Sequence, residues 1–128
     1  MNRSQTNPDR TCKVIKDYHV DYPDPIVVGA GETFAVSQQI STWEDNPAWT
    51  WLWCTDQRGK SGWVPKNRIQ MEADGKTGST HAAYSAVELP VRAGQELTIE
   101  QEESGWFWCR DQQGRYGWVP ISHVVPFV

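Results

Sequence analysis

Apolar and polar residues alternate along the chain in short runs, a pattern that predicts strands rather than helices. The WFWC run at 106–109 is β-prone, DQQG follows it as a turn, and a second extended segment spans 115–119. Because side chains alternate along a strand, Phe107 and Cys109 share one face and the two tryptophans share the other. The pattern predicts a β-hairpin with one packed face, and we expect no helix longer than a turn.

The hairpin occurs twice, so the chain contains an internal repeat. The segment WLWCTDQRGKSGWVPKNRIQ at 51–70 aligns with WFWCRDQQGRYGWVPISHVV at 106–125, and 10 of the 20 positions are identical. Upstream, PIVVGAGETFAV at 25–36 aligns with ELPVRAGQELTI at 88–99. The first copy carries 8 more residues between these two blocks, and the insertion contains Trp43, Glu44, Asp45, Pro47 and Trp49.

The two copies predict two structural units and a joint between them. The first strands, VIKDY at 14–18 and AAYSA at 82–86, align at an offset of 68 residues. We assign residues 10–70 to the first unit and residues 80–128 to the second. Residues 71–79 are polar, contain glycine and lack periodicity, so we interpret them as a linker.

Composition and charge narrow the class of protein. Hydrophobic residues make up 38% of the chain and charged residues 22%, which favours a packed globular protein, with a polar and disordered tail at residues 1–9. The chain has 8 tryptophans, whose large rings can close a small core or line a binding face. The net charge of −4 argues against nucleic acid as a partner, because phosphate binding needs a basic face.

The apolar runs and the cysteines of the chain bear on its localisation and on metal binding. No apolar run approaches the roughly 20 residues of a membrane span, and the start of the chain lacks the plan of a secretory signal, so we expect a cytoplasmic protein. Cys12, Cys54 and Cys109 form no CxxC pair and are odd in number, unlike a disulfide framework or a zinc site. We expect reduced thiols, with Cys54 and Cys109 in separate cores, and neither metal nor cofactor.

The order of the motifs resembles the Src homology 3 family, whose members carry an ALYDY strand, an ELxFxxGD block, a tryptophan pair and a closing G-Y-I-P-S-N-Y. The second copy offers ELPVRAGQEL, Trp106 and GWVPISH, and the first offers VIKDY, PIVVGAGE, Trp51 and GWVPKNR. The tryptophan of GWVP is similar to bacterial versions of the domain. The resemblance covers nearly the whole chain except tail and linker, and it implies an all-β fold of two tandem five-stranded β-barrels.

The resemblance also implies a binding function. Members of the family bind extended, proline-rich peptides in the polyproline II conformation across shelves of aromatic side chains. Matched residue by residue, the implied peptide-binding shelf is Tyr18, Trp51 and Pro65 in the first copy. In the second copy it is Tyr84, Trp106 and Pro120.

Acidic residues favour the first unit as the better binding site. Its two longer loops carry a rim of carboxylates that would select a basic residue of the ligand, namely Asp21, Asp24, Glu44 and Asp45. The second copy carries only Glu88 in its first loop. The family's closing tyrosine is replaced by Arg68 in one copy and by His123 in the other.

The other tryptophans have two expected roles. Trp63 and Trp118 occupy a position that usually packs inside the domain, so we expect both in the core. Trp43 and Trp49 lie in the insertion of the first copy, where a large ring has less reason to pack within its own unit. For these two we expect contact with a ligand or with the second unit.

The sequence favours a non-catalytic module that binds protein or peptide. It contains no Ser-His-Asp context, HExxH motif or phosphate-binding glycine loop, and such small barrels rarely enclose a catalytic pocket. Two other binding functions stay open. Binding of bacterial cell-wall peptide would require export, and an aromatic cage for a methylated cation is compatible with clustered tryptophans.

Overall fold

A computed structural model describes residues 10–127, and its regular elements are β-strands and single 3-10 turns. The tail predicted at residues 1–9 lies outside the described residues. The strands are β1 (Arg10–Val14), β2 (Val27–Val28), β3 (Phe34–Thr42), β4 (Thr50–Thr55), β5 (Ser61–Pro65), β6 (Ile69–Met71), β7 (Thr77–Thr80), β8 (Tyr84–Ser85), β9 (Glu96–Glu103), β10 (Trp106–Arg110), β11 (Tyr116–Pro120) and β12 (Val124–Pro126). The 3-10 turns cover Trp43–Asp45, Lys66–Arg68 and Ile121–His123. The predicted all-β class is confirmed.

The strands form two five-stranded sheets and one short ribbon. The first sheet has the order β5-β4-β3-β7-β6, and the second sheet has the order β11-β10-β9-β1-β12. The ribbon consists of β2 and β8. Both predicted hairpins are present, as β4-β5 and β10-β11. Among the described residues, hydrogen bonding does not close either sheet on itself. In this part of the chain no helix has the length and apolar character that a membrane span requires.

Each sheet takes one strand from the other repeat. Strand β1 lies between β9 and β12 of the second repeat, with Cys12 opposite Leu97 on one side and Pro126 on the other. Strand β7 opens the second repeat but lies between β3 and β6 of the first, where Gly78 is opposite Phe34. The first strands of the two repeats are therefore exchanged.

The exchange corrects the alignment of the first strands. Cys12 and Gly78 occupy the same place in their sheets and are 66 residues apart, so the offset is 66 rather than 68. The same offset relates Tyr18 to Tyr84. Tyr18 forms a backbone bridge to Val91, and Tyr84 pairs in the same way with Val28.

The segment predicted as a linker, 71–79, contains the end of β6, the turn that follows it and most of β7. Glu72 donates its N–H to the carbonyl of Thr77, and the Asp74 carboxylate accepts the N–H of Lys76 at 2.8 Å. The polar sequence concealed this strand because its buried positions carry only small side chains, Gly78 and Thr80. The division of the chain into units at this segment stays a prediction.

Two hydrophobic clusters fill the molecule. One cluster is the core of the second sheet and contains Cys12 and Cys109. The second cluster is the core of the β5-β4-β3-β7-β6 sheet and contains Cys54. The predicted separation of Cys54 from Cys109 is confirmed. The second cluster also includes Trp106 and Trp118 from the other repeat, so the core of the first unit continues into the interface between the units.

Candidate functional site

A cavity of about 140 Å³ lies between the two repeats. Water in the liquid occupies about 30 Å³ per molecule, so the space is large enough for a small organic group. Most of its wall is aromatic, and both repeats contribute rings. The lining residues are Tyr18, Asp21, Tyr22, Pro25, Ser41, Trp43, Trp51, Gly62, Trp63, Tyr84, Ala86, Glu88, Trp106 and Trp118.

The two hairpins bring the tryptophans together. Trp51 is opposite Pro65 in the first hairpin and Trp106 is opposite Pro120 in the second. The rings of Trp51 and Trp106 meet edge to face with centroids 6.2 Å apart, and Trp51 meets Trp118 in the same way at 6.4 Å. Only 6% of Trp51 and 8% of Trp106 is exposed, so the implied peptide shelves face each other and are largely covered.

Gly105 allows the insertion of the first copy to reach the second repeat. Its φ of +94° lies in the left-handed region, and a Cβ placed on it would come within 2.5 Å of Trp43 and 2.9 Å of Trp49. The ring of Trp43 lies 4.9 Å from that of Trp106. Of the two roles expected for Trp43 and Trp49, contact with the second unit is therefore present in the structure.

Gly62, in the β4-β5 hairpin, lies close to side chains of both repeats. A Cβ on this residue would lie 3.0 Å from the side chain of Ile26 and 3.1 Å from that of Ala86. Ile26 belongs to the first repeat and Ala86 to the second. The absence of a side chain at Gly62 thus lets both repeats close over the same hairpin.

Carboxylates supply negative charge at one side of the cavity. The hydroxyl of Tyr18 donates to Oε1 of Glu88 at 2.5 Å, and its ring meets Trp106 edge to face at 5.6 Å. Burial raises the pKa of Glu88 above its ordinary value; the Tyr18 hydrogen bond opposes this effect and the nearby charge of Asp21 adds to it. Within residues 10–127, neither Asp21 nor Glu88 forms an ion pair with a basic side chain.

Polar contacts outside the cavity tie the repeats together. Arg68 donates from Nε to Glu103 at 2.7 Å and from its terminal nitrogen to Gln101 at 2.9 Å. Its guanidinium carbon also lies 5.9 Å from the ring centres of both Tyr84 and Trp118. Arg68 replaces the family's closing tyrosine, so this position serves the interface between the units.

His123 holds the equivalent position in the second repeat. Its ring meets Tyr18 edge to face at 5.5 Å. Burial lowers the pKa of His123, Lys16 lowers it further, and Glu44 of the insertion opposes both effects. The two residues that replace the family's closing tyrosine therefore both contact the other repeat.

The structure regroups the residues of the implied peptide site. Five of them line the aromatic cavity, namely Tyr18, Asp21, Trp51, Tyr84 and Trp106. Tyr18 was grouped with Trp51 by repeat, but its ring contact is with Trp106, because the exchanged strand carries its loop to the second unit. Tyr84 correspondingly donates its hydroxyl to the carbonyl of Trp63 in the first unit.

The other five residues lie outside the cavity lining. Pro65 and Pro120 are fully buried. Asp24 forms an ion pair with Lys60 on the surface, and Glu44 and Asp45 are exposed with φ of 51° and 57°. A role for these five in binding a peptide stays a prediction.

Tyr22 is a lining residue that the sequence did not single out. It is 40% exposed and its ring meets Trp53 at 5.1 Å. A large ring within the proline-bearing segment DYPDP, which predicts neither strand nor helix, was the available signal. Trp63 is only partly buried and lines the cavity, whereas Trp118 is buried as expected.

The described part of the chain thus consists of a duplicated small β-fold with an aromatic cavity between the two copies. A family model described as variant SH3 domain matches residues 11–71 and, a second time, residues 74–127. The chain belongs to this family and carries two copies of the domain. Domains of the family are generally non-catalytic modules that bind proteins or peptides. No curated protein sequence matches the chain.

Proposed function

We propose that the protein is a non-catalytic module that binds an extended peptide at the cavity between its repeats, with a cationic side chain of the ligand inside the cavity. One observation carries this proposal: an aromatic cavity in which Asp21 and Glu88 have no basic partner among the described residues. Aromatic walls supply affinity through desolvated area, and they attract cations through their π-systems. The carboxylates select positive charge.

An extended ligand is supported by the aromatic surface beside the cavity. Tyr22 and Trp63 line the cavity, and both contact Trp53, at 5.1 and 5.0 Å between ring centres. These three partly exposed rings form a shelf on which the rest of a peptide, including proline residues, can lie. The three buried free thiols favour a reducing compartment, and cytoplasmic localisation is part of the proposal.

The test uses synthetic proline-containing decapeptides that differ at one central residue. The cationic members carry arginine, lysine or trimethyllysine. Each is paired with a neutral analogue of similar shape: citrulline, norleucine or the carbon analogue of trimethyllysine. We expect at least one cationic peptide to bind more tightly than its neutral partner in calorimetric titration, by roughly tenfold.

Two variants of the same loop locate the effect. Asp21→Asn removes charge from the cavity wall and should reduce the preference for the cationic peptide. Asp24→Asn is the matched control, because Asp24 lies outside the lining and pairs with Lys60. Equal effects of the two variants would exclude the cavity as the cationic site, and a complete lack of peptide binding would refute the proposed function.

A further inference from the structure

We infer that the cavity is built for a quaternary or highly methylated ammonium group, rather than for the ammonium of lysine or the guanidinium of arginine. The inference rests on the proposed function, because it names the chemical class of the cation that the site takes. It depends on three features of the cavity: its many rings, its occupied hydrogen-bonding groups and its unpaired negative charge.

The rings around the cavity have different orientations. Tyr18 and Trp106 are inclined at 84°, Trp51 and Trp106 at 71°, and Trp51 and Trp118 at 82°. When one ring meets another edge to face, the ring that contributes its edge keeps its faces available. A compact cation in the cavity therefore meets several π surfaces, which is how proteins recognise quaternary ammonium groups.

Three polar atoms on the lining rings are already hydrogen-bonded within the protein. The indole N–H of Trp51 donates to the carbonyl of Ser104 at 3.2 Å, and that of Trp118 donates to the carbonyl of Ser85 at 2.7 Å. The hydroxyl of Tyr84 donates to the carbonyl of Trp63. These bonds leave the rings to present apolar and π surface to a ligand.

Part of the hydrogen-bonding capacity beside the rings is also occupied or of the wrong kind for an ammonium. Glu88 already accepts a hydrogen bond from the hydroxyl of Tyr18. The indole N–H of Trp43 is buried without a partner among the described residues, and it is a donor. A lysine ammonium has three N–H groups, and each one that points at aromatic wall instead of at an acceptor loses a hydrogen bond to water, which costs free energy. A quaternary ammonium has no N–H group and avoids this cost.

Negative charge completes the match. Asp21 and Glu88 line the same cavity, and each of them raises the electrostatic preference for a cation over a neutral group of equal size. A quaternary ammonium keeps its positive charge at every pH, so it gains this attraction without a hydrogen bond. The site therefore distinguishes the cation from its neutral carbon analogue by charge, and from lysine by desolvation.

The experiment titrates the full-length protein with the trimethyllysine and lysine decapeptides and with tetramethylammonium chloride alone. Tryptophan fluorescence reports binding, because five of the lining residues are tryptophans, namely Trp43, Trp51, Trp63, Trp106 and Trp118. We expect the trimethyllysine peptide to bind roughly tenfold more tightly than the lysine peptide. We also expect tetramethylammonium to compete with it.

Matched tyrosine variants provide the control. Tyr22→Leu removes an exposed ring of the cavity and should weaken binding of the trimethyllysine peptide several-fold. Tyr116→Leu removes a ring of similar exposure, 43% against 40%, which stacks on Trp108 outside the cavity and should leave binding unchanged. Both residues are at the surface, so neither substitution removes buried core.

The outcomes separate this inference from the proposed function. Lysine or arginine peptides that bind as tightly as the trimethyllysine peptide, with an Asp21→Asn effect, would overturn the inference and keep the peptide-binding function. Absence of binding by every peptide would refute both. Equal losses in Tyr22→Leu and Tyr116→Leu would also overturn the inference, because the recognition would then not belong to the cavity.

Discussion

Cys12 and Cys109 pack together in one hydrophobic core, although the two residues belong to different repeats. Cys12 reaches this core on β1, which lies between β9 and β12 of the second repeat. The contact is thus a direct result of the exchanged first strands. It means that a substitution in the first strand acts on the second sheet.

Val14→Ala tests the exchange. Val14 is 1% exposed on β1 and packs in the core of the second sheet, so the variant should lose about 2 kcal/mol of stability and loosen β9 and β12. Hydrogen exchange should accelerate there before it does in β3 and β6. Val64→Ala, in the core of the first sheet, is the matched control and should show the opposite order. Faster exchange of β3 and β6 in Val14→Ala would contradict the strand exchange.

Gly105→Ala tests the contact between the insertion and the second repeat. Gly105 and Gly114 both have positive φ, so alanine costs about 1 kcal/mol at either position. A Cβ at Gly105 also overlaps Trp43, whereas nothing lies within 4 Å of a Cβ at Gly114. Urea unfolding should therefore show Gly105→Ala to be less stable than Gly114→Ala by a further 1 to 3 kcal/mol, roughly. Equal losses would mean that the contact contributes nothing.

A double-mutant cycle on Arg68 and Glu103 measures the polar contact between the repeats. The two side chains are 28% and 11% exposed, and the guanidinium also lies over two rings. We expect a coupling free energy of about 1 to 2 kcal/mol in unfolding experiments. The exposed pair of Arg10 and Glu102 is the control and should give less than about 0.5 kcal/mol. Equal coupling free energies for the two pairs would show that Arg68 and Glu103 contribute no more than an exposed surface pair.

Glu88→Gln should stabilise the protein at neutral pH. Burial raises the pKa of Glu88 in the folded state, so protonation favours folding, and this stability is lost as pH rises through the folded pKa. Glutamine retains an acceptor for Tyr18 and has no charge to desolvate. The variant and the parent should unfold alike below the ordinary pKa of glutamate, and the variant should gain relative stability towards neutral pH. A gain in stability of the variant only at acid pH would contradict this prediction.

The same substitution should reduce cation binding. If the Glu88 carboxylate lowers the stability of the fold at neutral pH but increases the affinity for a cation, its function is in the ligand site. Titration of Glu88→Gln with the trimethyllysine peptide at pH 7 should show weaker binding than the parent protein, despite the more stable fold. Unchanged affinity would assign Glu88 to structure alone.

The sequence contained enough information for the fold class and the hairpins. The repeated tryptophans, the turn residues and the motif order predicted two five-stranded all-β units, and the structure has both sheets. It did not contain a signal for the exchange, because Cys12 to Val14 would alternate in the same way against either sheet. The choice between the sheets depends on loop lengths and on the turn at 72–76, which closes a hairpin.

The sequence predicted many of the residues of the site, but it did not predict that they line one cavity. Tyr18, Trp51, Tyr84 and Trp106 were all selected by motif matching, and they line the same cavity. Matching by repeat assigned them to two separate grooves, since a motif carries no information on how two copies pack. Tyr22 was missed for a different reason, because its role depends on Trp53 and Trp63 across the loop.

The position of β1 also sets the order of events during synthesis. Cys12 pairs with Leu97 and Pro126, so the first strand leaves the ribosome long before its neighbours exist. At about 5–20 residues per second the interval is on the order of 10 s. The first sheet is different, because all of its strands are consecutive and the last of them, β7, ends at Thr80. The first sheet can therefore form during translation, whereas β1 has to stay unpaired until the strands of the second sheet have been made.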